Sequence, residues 1–320
     1  MSDEIIRIAS RGSPLALAQA KLARRALAQT HGWDEAALDR ICPILTFRTT
    51  GDRVQDRPLA ELGGKGLFAK EIEDALLQDE ADIAVHSMKD LPAIQPHGLV
   101  IASVLLREDP RDVFLTQQGQ KFSELGDGAK LGTSSVRRAA QALRLRPDLK
   151  IVPLRGNVQT RLDKLVAGEA DGIFLARAGL ARLDILPANC EELSPEHWLP
   201  ALCQGAIGLE VRENDNAARA LVGKINHAAS QLAVTSERGF LATLDGSCRT
   251  PIAGLALIQN GTLSFRGEVL SLDGNSSWSA SCEMALREKI DAETLRDAYA
   301  LGADAANDVR AAAGENLPKF

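Results

Sequence analysis

The run Asp82-Ile83-Ala84-Val85-His86-Ser87-Met88-Lys89-Asp90-Leu91-Pro92 constrains the fold of this chain most. Its apolar part reads as a short buried strand, and Pro92 forbids an easy continuation. A cation and a carboxylate are thus delivered side by side where a strand leaves its sheet, the edge at which open α/β sheets bind ligands. Alone, Lys89-Asp90 reads better as a solvated turn with an ion pair. Arginines at comparable strand exits favour a ligand site.

The neighbouring pattern extends this architecture. A strand at 5–9 is followed by Arg11-Gly12-Ser13-Pro14, with Ser13 as N-cap and Pro14 at the first helical position. Leu15, Ala18, Leu22 and Ala26 are expected to form that helix's apolar stripe. A strand near 41–47 leads through a polar loop to Gly63-Gly64-Lys65-Gly66. A helix follows with Phe68, Ile72, Ala75 and Leu76 on one face. Such alternation predicts parallel, wound α/β structure. It resumes after Asp109-Pro110, with a helix beginning near Val136, a strand at 151–154, a helix capped by Asn157 and a strand at 172–176. Beyond about 228 the pattern changes to a helix, three strands joined by Asn260-Gly261 and Asp273-Gly274 turns, and an Ala-rich helix over 292–313. The expected division is one α/β lobe from 1–105 plus 200–223, a second from 106–199, and a smaller α+β domain from 228–320. A chain of 320 residues exceeds a single core, as this division requires.

Composition narrows the function. A net charge of −6 argues against a nucleic-acid-tracking surface, and 4% aromatics against base-stacking platforms. No apolar run is long enough to span a bilayer, and the start Met1-Ser2-Asp3-Glu4 is acidic; a cytoplasmic protein without membrane association is expected. Five cysteines without a C-x-x-C pair argue against a disulfide framework and a zinc site, and no histidine has metal-ligand spacing, so no metal is expected. Gly63-Gly64-Lys65-Gly66 lacks the Ser or Thr of a P-loop, and no G-x-G-x-x-G follows the first strand. His86, on a buried strand, reads as a hydrogen-bonded core residue.

In this acidic chain Arg11, Arg155 and Arg177 follow strands, Arg182 lies just beyond, Arg161 flanks a helix stripe, and Arg137-Arg138 open a helix after Thr133-Ser134-Ser135. Cations in a first turn oppose the helix macrodipole, which makes sense if an anion sits there. Arginine forks grip carboxylate or phosphate, so a ligand with several such groups is indicated. Cys248 lies in the loop Asp245-Gly246-Ser247-Cys248-Arg249-Thr250-Pro251, where Arg249 favours a thiolate.

Together these segments resemble the porphobilinogen deaminase (hydroxymethylbilane synthase) family over nearly the whole chain. The resemblance rests on Arg11 to Leu17, Gly63 to Phe68, His86 to Pro92, Gly132 to Arg138, Leu154 to Asn157, Gln204-Gly205-Ala206 and Gly246-Ser247-Cys248. It implies two lobes like a hinged periplasmic binding protein, plus a C-terminal domain. It implies a monomeric enzyme that joins four porphobilinogens head to tail, releasing ammonia each time, to give hydroxymethylbilane. It also implies a dipyrromethane cofactor bound through a thioether to Cys248. By the same resemblance Asp90 is the catalytic carboxylate. Lys89, Ser87, Arg137, Arg138, Ser135, Thr133 and Arg155 hold the cofactor, and Arg11, Ser13, Lys65, Arg161, Arg182 and Gln204 the substrate. Cys203 and Ser247 stand where glycine is common in the family, and Arg249-Thr250 where an uncharged pair is common. A non-catalytic receptor for a polycarboxylate is the rival; it leaves Cys248 and the last domain without a role.

Overall fold

The computed structural model describes residues 5–53, 66, 68–246 and 250–318. In chain order the strands are β1 (Ile8–Arg11), β2 (Ile44–Phe47), β3 (Ile83–Ser87), β4 (Leu99–Val104), β5 (Asp112–Leu115), β6 (Lys130–Gly132), β7 (Lys150–Val152), β8 (Gly172–Ala176), β9 (Glu191–Glu192), β10 (Ile207–Arg212), β11 (Ile252–Gln259), β12 (Thr262–Leu270) and β13 (Ser277–Ala285). The helices are α1 (Pro14–His31), α2 (Leu38–Ile41), α3 (Thr50–Arg53), α4 (Lys70–Leu77), α5 (Val136–Leu145), α6 (Val158–Val166), α7 (Arg177–Arg182), α8 (Asn216–Gly223), α9 (Ala228–Thr243) and α10 (Ala292–Ala313).

Contacts divide the chain into two units. The first comprises 1–56, 64–108 and 206–231; the second comprises 57–63, 109–205 and 232–320. The first unit is built on a sheet of order β2-β1-β3-β10-β4. Here β1 runs parallel to β2 and β3, as the strand–helix alternation predicts, but β10 is antiparallel to both β3 and β4. The difference arises because β10 re-enters the unit after the chain has built most of the second one. Local pattern cannot report the direction of that return.

Ser13 caps α1, its Oγ accepting from the Ala16 N–H at 3.3 Å, and Gly32 ends the helix at a positive φ of 68°. The buried face of α1 is Ala16, Gln19, Ala20, Ala23, Leu27 and Ala28, not the expected Leu15, Ala18, Leu22 and Ala26; Leu22 is 40% exposed. Alanines win because a short side chain lets the helix axis approach the sheet closely. They pack with Ile8, Ile83, Val85, Leu209 and Val211, while α4 covers the other face through Ile72 and Leu76 against Ala9, Ala84 and Leu99. Phe68, expected on that helix, precedes it: α4 starts at Lys70.

The second unit contains a sheet of order β7-β6-β8-β5-β9, with β6 parallel to β7 and β8, and β5 antiparallel to β8 and β9. Phe114, Phe122, Phe174 and Trp198 fill one side; Val113, Leu154, Ile173 and Leu175 fill the other. Asn157 caps α6 as the sequence predicts, and Ser135 caps α5, a role the sequence reading did not give it. The same unit carries the antiparallel sheet β11-β12-β13, its first turn made by Asn260 and Gly261 at φ 50° and 75°. α9 and α10 cross where Gly239 and Gly302 allow backbone to touch backbone. Arg144 on α5 pairs with Glu268 on β12, tying the two layers of this unit together.

Candidate active site

β3 ends in a tight helical turn, Met88–Asp90, that carries both Lys89 and Asp90. The turn is anchored by buried Met88, whose N–H donates to the Ala206 carbonyl at 3.1 Å. Gly208 on β10 leaves the space that the Met88 sulfur fills. Asp90 is thereby held at the carboxyl end of β3, one strand from Arg11 at the end of β1. The two, with Ser13, Gln19, His86 and Ser87, line one small pocket of about 40 Å³. Arg11 lays its guanidinium 4.2 Å over the centroid of the Phe68 ring, which removes much of its conformational freedom. Gln19, buried on α1, donates from Nε2 to Ser87 Oγ at 3.2 Å. Gln19 and Phe68 are the contributors that sequence reasoning missed. A polar side chain inside an alanine stripe is the signal that could have found Gln19.

In the second unit, Arg137 and Arg138 are buried, 4% and 6% exposed, around one carboxylate. Asp112 accepts from Arg137 Nη2 at 2.8 Å and from Arg138 Nη2 at 2.7 Å. It also accepts from the Trp198 indole N–H at 2.9 Å and from Gln204 Nε2 at 2.8 Å. Burial pushes the Asp112 carboxyl up, but the two guanidiniums outweigh it and hold it well below the usual carboxylate range. The anion expected at the α5 N-terminus is therefore supplied in part by the chain itself. Asp112 was not recognised from sequence; its partners lie 25 residues and more away.

Around this centre stand the remaining candidates of the unit. Thr133 Oγ1 accepts from the Ser135 N–H at 3.1 Å, and Ser134 Oγ donates to the Leu154 carbonyl at 3.1 Å, joining the exits of β6 and β7. Arg155 follows β7 and is partly exposed. Arg161 Nε donates to the Gly156 carbonyl at 2.9 Å, and Arg182 Nη2 to the Gly205 carbonyl at 2.5 Å, beside Gln204. Arg177 is engaged by Glu192 and Asp109. Cys203, at a position where glycine was the expectation, takes a left-handed φ of 60°, and its N–H donates to buried Glu237. Lys65 and Cys248 lie outside the described residues. Among the described residues no helix is long and apolar enough to cross a membrane.

The family model described as porphobilinogen deaminase, dipyrromethane cofactor binding domain, matches residues 6–220, and that of the porphobilinogen deaminase C-terminal domain matches residues 231–311. A porphobilinogen deaminase of Paracoccus denitrificans is 52% identical over 305 residues, covering 95% of this chain and 93% of that protein. One from Nitrobacter hamburgensis is 47% identical over 316 residues, covering 99% and 96%. Among solved structures, an ancestral cationic amino acid solute binding protein aligns over 69% of this chain and 87% of its own, with 13% identity and a TM-score of 0.42.

Proposed function

This chain belongs to the porphobilinogen deaminase family, and we propose that it uses the groups described above to join four porphobilinogens into hydroxymethylbilane, releasing ammonia at each step. The reading is that of a monomer working in the cytoplasm. Its lobes would be 1–105 with 200–223 and 106–199, its cofactor-bearing domain 228–320.

The observation that carries the site assignment is the grouping of Asp90 with Arg11, Ser13 and Ser87 around one pocket at the ends of β1 and β3. Loss of ammonia from an aminomethylpyrrole develops positive charge spread onto the ring nitrogen. Asp90, fixed on its turn, would meet that charge without having to reorganise, and can accept a ring N–H or a proton. Arg11, Ser13, Lys65, Arg161, Arg182 and Gln204 are assigned to the acetate and propionate arms of the substrate. Arg11 has its plane already set by Phe68. Arg137, Arg138, Arg155, Lys89, Ser87, Thr133 and Ser135 are assigned to the dipyrromethane cofactor, whose four carboxylates match this donor set. Asp112 neutralises one of two adjacent guanidinium charges, so the Arg137–Arg138 pair keeps net positive charge while its geometry is locked.

Dipyrromethane supplies a permanent primer to which units are added. Cys248 is the residue assigned to hold it, a thiolate being the protein group best suited to a stable C–S bond with an electrophilic methylene. The test is the intact mass of the denatured protein beside that of Cys248→Ser. A mass excess of two pyrrole units, absent from the variant, is expected. A mass equal to the polypeptide alone, with full turnover, would overturn the assignment.

A further inference from the structure

Three titratable side chains meet in the layer between the first sheet and α4, and the chemistry above uses none of them. His86 on β3 and Glu210 on β10 project to the same face, because Gly208 opposes His86 and Glu210 opposes Ala84 in the antiparallel register. His86 Nε2 lies 3.1 Å from Glu210 Oε2. Glu73 comes down from α4 into the same layer, and all three are at least nine-tenths buried: 5%, 6% and 0% exposed for Glu73, His86 and Glu210. One carboxylate oxygen of Glu73 and one of Glu210 have no hydrogen-bond partner. Two carboxylates with unmet oxygens around one imidazole are costly to bury as fixed charges. The same arrangement is tolerable if the cluster carries a proton it can exchange.

Two further facts point the same way. Burial, then the charge of Glu210, raise the Glu73 carboxyl to about 7, with His86 opposing and Asp74 adding to the rise. His86 also forms part of the wall of the Asp90 pocket, whose volume of about 40 Å³ admits water. The nearest cation on these strands is Arg212, two residues after Glu210 on the same face of β10, held by the Leu76 and Ala81 carbonyls and by Asp82 and Asp215. β4 carries no titratable side chain, and β1 offers only Arg11 at its exit, stacked on Phe68.

Proton balance gives the cluster a task. In each coupling the substrate C–N bond breaks and its electron pair leaves on ammonia. A C–C bond forms from the methylene to the α-carbon of the acceptor pyrrole, and that carbon sheds its proton. The net products are the extended chain and ammonium, so one proton must be held between its release and its transfer. If it stays on Asp90, the carboxylate is neutral when the next positive charge develops. We propose that the Glu73–His86–Glu210 cluster takes this proton through the pocket His86 shares with Asp90, returning Asp90 to its ionised form for the next coupling. The inference rests on the reading of Asp90 given above.

Holoenzyme carrying Glu73→Gln, His86→Gln or Asp90→Asn separates the two. The readouts are kcat and KM against pH. Glu73→Gln, nearly isosteric, should lower kcat by about tenfold above about pH 7, where the wild-type carboxyl is ionised and can accept the proton, and leave kcat below that pH and KM close to wild type. His86→Gln should lower kcat by about tenfold or more across the pH range, with KM close to wild type. If neither profile moves while Asp90→Asn loses turnover, the cluster is merely structural and only this inference fails. Wild-type turnover in Asp90→Asn would remove the reading of Asp90 itself, and the inference with it.

Discussion

Asp112 grips Arg138 with both carboxylate oxygens, Nη2 at 2.7 Å on one and Nε at 3.3 Å on the other. The pair is buried, and Arg137, Trp198 and Gln204 converge on the same carboxylate. A two-pronged contact fixes the plane of the guanidinium as well as its position. Asp112→Ala leaves two buried cations unmatched and should lower stability by about 3–5 kcal/mol in urea unfolding. Because the folded carboxyl titrates below its unfolded value, this stabilisation is present above about pH 4 and is lost as pH falls further. Asp112→Asn should flatten that acid dependence; a variant as acid-labile as wild type would remove Asp112 as its source.

Asp90→Asn should keep the fold, since the side chain is partly exposed and its turn is anchored by buried Met88. Turnover should fall by about a hundredfold to a thousandfold, the scale of losing one preorganised electrostatic group. Substrate affinity should change far less. Single-turnover rates of ammonia release decide the matter.

Glu73 gives a stability test independent of catalysis. Its folded carboxyl titrates near 7, above the unfolded value, so folding favours its protonated form. Stability from this group is complete below about pH 4 and is lost as pH rises towards 7. Glu73→Gln should therefore be about 2–3 kcal/mol more stable than wild type at about pH 8 and close to it at about pH 4.5. Equal differences at both pH values would contradict the shift.

The crossing of α9 and α10 has no room for a side chain at Gly302. A methyl there would overlap the Ser236 carbonyl, and backbone cannot move aside as a side chain end can. Gly302→Ala should cost about 1–3 kcal/mol or more by forcing the helices apart, despite alanine's better helix propensity. Thermal unfolding of that variant, beside a control Leu301→Ala at the adjacent half-buried position, measures it.

Local chemistry was readable in advance wherever partners are a few residues apart. Ser13 and Asn157 cap their helices as expected, β8 spans Gly172–Ala176 and the Asn260-Gly261 turn joins two strands, because each depends on a short stretch of chain. The motif run ending in Lys89-Asp90 likewise placed both residues at a strand exit. Long-range pairing was not readable. His86 and Glu210 are 124 residues apart, and Arg137 and Asp112 are 25 apart, so no periodicity links them.

Sequence alone thus determined the family, the wound α/β lobes, the small last domain and the set of charged side chains offered at strand ends. Tertiary structure decided which of those charges line the pocket at the ends of β1 and β3, as Arg11 and Asp90 do, and which share an internal carboxylate that locks their geometry, as Arg137 and Arg138 do on Asp112. The reason is physical: a residue's type sets what it can donate or accept. Its protonation, orientation and availability are set by neighbours that only folding brings within hydrogen-bond distance.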